Sequence, residues 1–239
     1  MSRKRALLRR LKGARRRLGA AWRVLTDPFA RLAYSQEGED LILERLFEKH
    51  VHGFYVDVGA HHPKRFSNTY TFYLKGWSGL NIDAAPGSMK AFQRLRPRDT
   101  NIEVAVAGKE QSLSFYVYND DALNSTIPPE DRGIDRSRHQ FVRKVNVPAR
   151  PLAEILAEIV PDEQHIDFLT IDVEGMDLQV LRSNDWKRFR PTYVLAEEVR
   201  GIGDDTSIIK YMNAQRYSLY CRTMNTIFFL DDLARPNAQ

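Results

Sequence analysis

The chain has 239 residues, enough for one α/β domain of ordinary size with a short appendage. Its hydrophobic fraction of 43% and charged fraction of 28% match folded soluble proteins, which excludes wholesale disorder and a bundle of membrane helices. The net charge of +5 is unevenly placed: Met1 to Arg31 carry eleven basic residues against one acid, Asp27, for +10, and the remainder carries 25 basic against 30 acidic residues, for −5. The basic character belongs to the N-terminus, so a nucleic-acid-binding body is disfavoured. A single cysteine, Cys221, excludes an internal disulfide, fits a reducing cytoplasm and reads as a core residue.

In the leader, Leu7, Leu11, Ala14, Leu18, Trp22 and Leu25 recur at spacings of three and four, with arginines between them. This predicts a basic amphipathic helix over residues 1–31, followed by a body over 32–239. No apolar run reaches the roughly 20 residues of a membrane span, so the expected address is the cytoplasm, with peripheral attachment to an anionic membrane surface. A helix docked on a protein partner, or a solvated tail, is the competing reading. Asp27-Pro28 marks the break before the body.

From Phe54 onward short apolar runs alternate with helical stretches, which predicts a doubly wound, mainly parallel seven-stranded α/β sheet of Rossmann-like type. Strands are expected at 54–58, 80–83, 102–107, 168–172, 193–196, 217–221 and 227–230. Helices are expected at 39–49, 69–75, 88–95, 152–160, 178–181 with flanks, and 207–213. An insertion after the third strand should hold an extra strand at 113–118 and a polar loop from Asn119 to about Lys144.

The first strand ends Asp57-Val58-Gly59-Ala60-His61, placing a glycine turn at the carboxyl edge of the sheet, where doubly wound folds bind ligands. The full G-x-G-x-x-G that brings backbone against a pyrophosphate is missing, so a nucleoside without phosphate suits this turn better. The second strand ends in Asp83, 24 residues after Gly59, where an acid can accept from ribose hydroxyls or cap the next helix. Ala105 and Val106 at the end of the third strand offer small apolar surfaces to a flat base, or ordinary core. The fourth strand ends Asp172-Val173-Glu174 and the fifth Glu197-Glu198. Carboxylates at adjoining strand ends can serve as a general base or as oxygen ligands of a hard divalent cation such as Mg²⁺, here Asp172 with Glu197 and Glu198. Helix capping and solvated loop acids are the plainer reading of the same residues.

Taken together, Ser35-Gln36-Glu37-Gly38-Glu39-Asp40, Val56-Asp57-Val58-Gly59-Ala60-His61, Ser67-Asn68-Thr69, Lys75-Gly76-Trp77-Ser78-Gly79, Asn81-Ile82-Asp83, Asn124-Ser125-Thr126 and Ile171-Asp172-Val173-Glu174-Gly175 resemble the FkbM family of S-adenosylmethionine-dependent methyltransferases. The resemblance spans Ser35 to about Val199. It implies a class I methyltransferase fold and methyl transfer to oxygen acceptors on sugars, glycans or natural products. It also implies S-adenosylmethionine as cofactor, with Asp57, Gly59 and Asp83 in its site, Ala60 in the same turn, and Gln36 and Asn68 as crevice contacts. Acceptor positions do not carry over.

Deprotonating a hydroxyl calls for a base, and Asp172 is the first candidate, with Glu174 beside it and His61 and His62 as second choices. A nicotinamide-dependent oxidoreductase would share the Asp83 logic but lacks the phosphate-binding glycines. A catalytically silent membrane or RNA adaptor would place all binding in the leader.

Overall fold

The structure, a computed structural model, describes residues 26–133, 135, 137–198 and 207–234. The expected leader helix falls mainly outside the described residues. Met1–Ala33 and Tyr34–Gln239 are separate compact units, and the second carries ten strands and six helices among its described residues.

The run Phe-Tyr-Val-Asp-Val is rich in aromatic and β-branched residues, and it forms β1 (Phe54–Val58). Two parallel neighbours flank it: β2 (Ser78–Asp83), with Leu80 opposite Val56, and β7 (Phe168–Ile171), with Leu169 opposite Val56. With β3 (Thr100–Glu103), β8 (Tyr193–Glu197), β9 (Tyr217–Arg222) and β10 (Thr226–Asp231), the order is β3-β2-β1-β7-β8-β10-β9, and β10 runs antiparallel to both neighbours. This is the mainly parallel seven-stranded sheet the sequence predicts. The chain builds outward from β1 through β2 and β3, then returns to the other side of β1 as β7 and β8. That reversal opens a crevice at the carboxyl ends of β1 and β7.

Because side chains alternate across a strand, the sheet has two cores. On one face Val56, Val58, Leu169, Ile171, Val194 and Ile227 pack with α4 (Leu152–Ile159), α5 (Asp177–Arg182) and α6 (Ser207–Ala214). On the other, Tyr55, Phe168, Leu195 and Phe228 pack with Leu43 and Phe47 from α1 (Glu39–Leu46) and its end, with Phe72 from α2 (Tyr70–Leu74), and with Trp77. The remaining helix, α3 (Met89–Leu95), covers Ala60 with Met89 and Phe92. Cys221 is half-buried beside the aromatic core on β9, less enclosed than the core position expected for it.

Two expectations are corrected. The strand predicted at 102–107 is broken: after Glu103 the backbone leaves the large sheet, and β4 (Ala105–Val106) pairs with Ala149 and Arg150 of a second sheet formed with β5 (Gln111–Tyr118) and β6 (Phe141–Arg150), in the order β4-β6-β5. The polar loop predicted to about Lys144 ends earlier, because β6 starts at Phe141 and pairs antiparallel with β5. Only Val147 and Ala149 of β6 are buried, so Arg143-Lys144 and Pro148 mask its strand character in the sequence.

Candidate functional site

A cavity of about 680 Å³ lies at the carboxyl ends of β1, β2, β7 and β8 and reaches Phe115 and Val117 of β5. Its floor depends on Gly59, whose φ is +83° and whose absent Cβ would stand 1.7 Å from the Asp172 carbonyl oxygen. Only glycine fits a left-handed turn pressed against a neighbouring strand end. The N–H groups of Gly59 and Ala60 both donate to the Ile82 carbonyl, at 2.9 and 3.0 Å, which ties the turn to β2. At the end of β2 the Asp83 carboxylate accepts from His61 N–H and Ala85 N–H, both at 2.8 Å, and lines the cavity. Each carboxylate oxygen has a further lone pair, so Asp83 keeps acceptor capacity for a ligand hydroxyl. Burial raises its pKa, opposed by those two hydrogen bonds. Val104, Ala105 and Val106 form an apolar wall farther along.

The opposite wall is acidic. Asp172, Glu174 and Glu197 each place a carboxyl oxygen within 4.8 Å of the others. Asp177, buried below them, accepts from the N–H of Gly175 at 3.2 Å and of Glu197 at 3.3 Å, and so ties the β7 and β8 ends together. Burial and the neighbouring Asp172 charge push Glu197 far above the usual carboxyl range. Asp172 is accessible from the cavity; the surrounding wall still raises its pKa, and its interaction with Glu197 works the other way. Burial and the neighbouring acids therefore favour the neutral form of Glu197 beside Asp172. Glu197 Oε2 is buried and has no hydrogen-bond partner among the described residues. Glu174 is raised to about 7 by burial and by Asp172, against the pull of Arg132.

The loop between β5 and β6 contributes to the rim. Arg132 binds both the Glu174 carboxylate and the Leu123 carbonyl, and the Asp121 carboxylate meets His61 Nε2 at 3.0 Å and Arg65 Nη1 at 3.1 Å. Four non-glycine residues among those described have positive φ, and three of them, His61 (+51°), Phe66 (+58°) and Glu174 (+57°), line this one cavity. Each such conformation costs on the order of 1–3 kcal/mol and persists only where the surroundings impose it. A smaller polar notch of about 20 Å³ adjoins, sharing Gln36, Phe66, Asp172 and Glu197 with the cavity.

The family model of the methyltransferase FkbM domain matches residues 57–219, more than half of the chain. The chain belongs to the FkbM methyltransferase family. It is accordingly an S-adenosylmethionine-dependent methyltransferase, and its sheet is the Rossmann-like class I sheet of such enzymes. No curated protein matches the chain. Solved structures similar to it include a TehB-like SAM-dependent methyltransferase from Corynebacterium glutamicum, at 10% identity and a TM-score of 0.44, covering 92% of this chain and 99% of that one. A precorrin-6y C5,15-methyltransferase from Geobacter metallireducens is similar at 12% identity and a TM-score of 0.42, covering 85% and 93%.

Of the residues singled out in the sequence, the FkbM fold brings Gln36, Gly59, His61, Asp83, Ala105, Val106, Asp172, Glu174 and Glu197 to the cavity wall. Asn68 lies in the notch, where its Nδ2 donates to Thr170 Oγ1 at 2.9 Å. Asp57 is buried and accepts from Thr69 Oγ1 at 2.8 Å; burial, opposed by Arg96, raises it to about 6. Ala60 turns its methyl into the Met89–Phe92 cluster, so its part in the turn is its backbone. Glu198 is the residue the structure removes from the expected metal set. It follows the last residue of β8 and its carboxylate pairs with Arg222, while Glu197, at the end of the strand, is the one that joins Asp172 and Glu174.

Phe66, Asp121, Arg132 and Asp177 were missed. For Asp177 there was a signal, a third acid in Asp172-Val-Glu174-Gly-Met-Asp177. Asp121 and Arg132 are tied to His61 and Glu174 by contacts across 60 and 42 residues that no local pattern encodes, and Phe66 sits in the turn just before Ser67-Asn68-Thr69.

Proposed function

We propose that this chain O-methylates a hydroxyl of a sugar, glycan or similar polyhydroxylated natural product, with Asp172 as the general base. Bound S-adenosylmethionine supplies a methyl group that passes to the acceptor oxygen while the C–S bonding pair stays on sulfur as a thioether. The cavity suits that cofactor: Asp83 offers acceptors for the ribose hydroxyls, Val104 to Val106 an apolar wall for the base, and Gly59 close backbone approach. The observation that carries the reading is the Asp172–Glu197 pair. Asp172 lines the cavity and is accessible from it, its carboxyl oxygen lies within 4.8 Å of those of Glu174 and Glu197, and the surrounding wall raises its proton affinity. Asp172 takes the hydroxyl proton as the oxygen lone pair forms the new C–O bond.

The test is incubation with methyl-labelled S-adenosylmethionine and a panel of methyl glycosides and cell-surface glycans, with the label located by mass spectrometry. Label in alkali-stable methyl ethers is the expected result; label confined to nitrogen, carbon or alkali-labile esters overturns the reading. A divalent cation held by Asp172, Glu174 and Glu197 is the competing account of the acid cluster, favoured by their 4.8 Å spacing. It predicts transfer lost in EDTA and restored by Mg²⁺, whereas a metal-free pair predicts transfer undiminished in EDTA. We also propose that the +10 charge of residues 1–31 holds the enzyme on an anionic membrane, which co-sedimentation with anionic vesicles at low and high salt tests.

A further inference from the structure

Phe66 combines three properties that rarely occur together. A bulky aromatic residue is held at φ +58°, its side chain is 43% exposed, and it lines both the large cavity and the polar notch. A ring that supported the fold would be buried in return for its backbone strain, as Phe72 and Phe168 are buried without any. The strain at Phe66 holds an apolar ring in a wall that it shares with the acidic pair.

The surroundings hold the ring without enclosing it. The Arg65 guanidinium lies 4.4 Å from the ring centroid, and the His61 ring lies nearly parallel, 22° away in tilt and 6.4 Å between centroids. Both partners are fixed in turn by Asp121, so the ring is braced from the cavity rim. Beside it the notch has room for about one water-sized group, and its wall is polar: Gln36, Glu39, Asn68 and Asn225. Glu39 and Asn68 are already engaged, with Thr223 and Thr226 and with Thr170, and the notch adjoins Asp172 and Glu197. An apolar ring next to a narrow polar notch matches a ligand with an apolar face and a hydroxylated edge.

We propose that Phe66 is the acceptor platform: the C–H face of a pyranose-like ring packs on Phe66, and its hydroxyl edge points to Asp172 and the notch. This rests on the O-methylation reading above. Phe66 is then a specificity-determining residue whose backbone strain serves binding and not stability.

The test uses the full-length protein saturated with S-adenosylhomocysteine, a panel of methyl pyranosides observed by saturation-transfer NMR, and the variants Phe66→Gly and Phe66→Trp. In wild type, saturation should concentrate on the ring C–H protons of at least one methyl pyranoside. Phe66→Gly should weaken that binding about tenfold or more, roughly the loss of one stacked aromatic contact, and Phe66→Trp should preserve it. S-adenosylmethionine affinity by calorimetry should stay within threefold, by the same affinity arithmetic. The melting temperature of Phe66→Gly should equal or exceed wild type, because glycine relieves the positive φ. The inference is overturned if no methyl pyranoside binds wild type, if Phe66→Gly binds it unchanged, if that variant loses S-adenosylmethionine affinity in parallel, or if its melting temperature drops by more than about 4 °C. Failure of wild type to bind S-adenosylmethionine at all would instead strike the underlying reading of the cavity.

Discussion

Beneath β1 the rings of Phe47, Phe72, Trp77 and Phe168 pack with centroids 4.9 to 6.2 Å apart, and at the carboxyl ends of the adjoining strands Asp172, Glu174 and Glu197 crowd within 4.8 Å. The aromatic core is arranged as hydrophobic burial and ring geometry favour. The carboxyl edge breaks those rules twice, by desolvating like charges and by holding three side chains at positive φ. A chain selected for stability alone would have neither feature. The difference separates residues that make the fold from residues that the fold sustains at a cost.

The largest expected effect is at the edge. Asp172→Asn should lower the single-turnover rate of methyl transfer by about 10² to 10⁴, the usual worth of a positioned general base. Cofactor affinity by calorimetry and the urea midpoint should hardly fall. A midpoint that drops with the rate would mean that Asp172 supports the fold, and the contrast between the two regions would collapse. The opposite outcome is expected in the core: Phe168→Ala should cost about 3–5 kcal/mol in urea denaturation, while the rate per folded molecule stays near wild type. Asp83→Ala should weaken S-adenosylmethionine by about 1–3 kcal/mol, the scale of lost hydrogen bonds to a charged acceptor, with little change in acceptor affinity. Unchanged cofactor affinity would remove Asp83 from the site.

Legibility in the sequence divides along the same line. β1, β7 and β8 stand within one or two residues of their expected places, because buried parallel strands write continuous apolar runs, and the antiparallel β9 and β10 stand equally close through their runs at 217–221 and 227–230. Asp172 and Asp83 were readable because a strand fixes what stands at its carboxyl end. The second sheet was only half legible. β6 has one buried face and carries Arg143, Lys144 and Pro148, so it reads as loop, and Ala105 and Val106 join it across a register that only tertiary pairing sets. Arg132 and Asp121 come from the loop it bounds, and their partners Glu174 and His61 lie 42 and 60 residues away along the chain. The choice between Glu197 and Glu198 turned on where β8 ends, since Glu197 is its last residue and Glu198 turns away to Arg222.

The smallest expected effect is also the sharpest test of the edge as a stability cost, because it is a gain. In the folded chain Glu197 holds its proton far above the ordinary carboxyl value of 4.5, through burial and the charges of Asp172, Glu174 and Asp177. Above about pH 4.5 the unfolded chain has released that proton and the folded chain has not, so unfolding releases a proton and stability falls as pH rises. Glu197→Gln cannot titrate, and its amide N–H can donate toward Asp172. The variant should match wild type at about pH 3.5, where Glu197 is neutral in the folded and the unfolded chain alike. By pH 8 it should be more stable by about 0.5–2 kcal/mol, the usual gain from relieving a functional site of its strain. Urea denaturation of both proteins at the two pH values measures this. A gap that stays constant with pH would place the gain in packing, and a variant less stable at pH 8 than wild type would show that the carboxyl pair holds the β7 and β8 ends together instead of straining them.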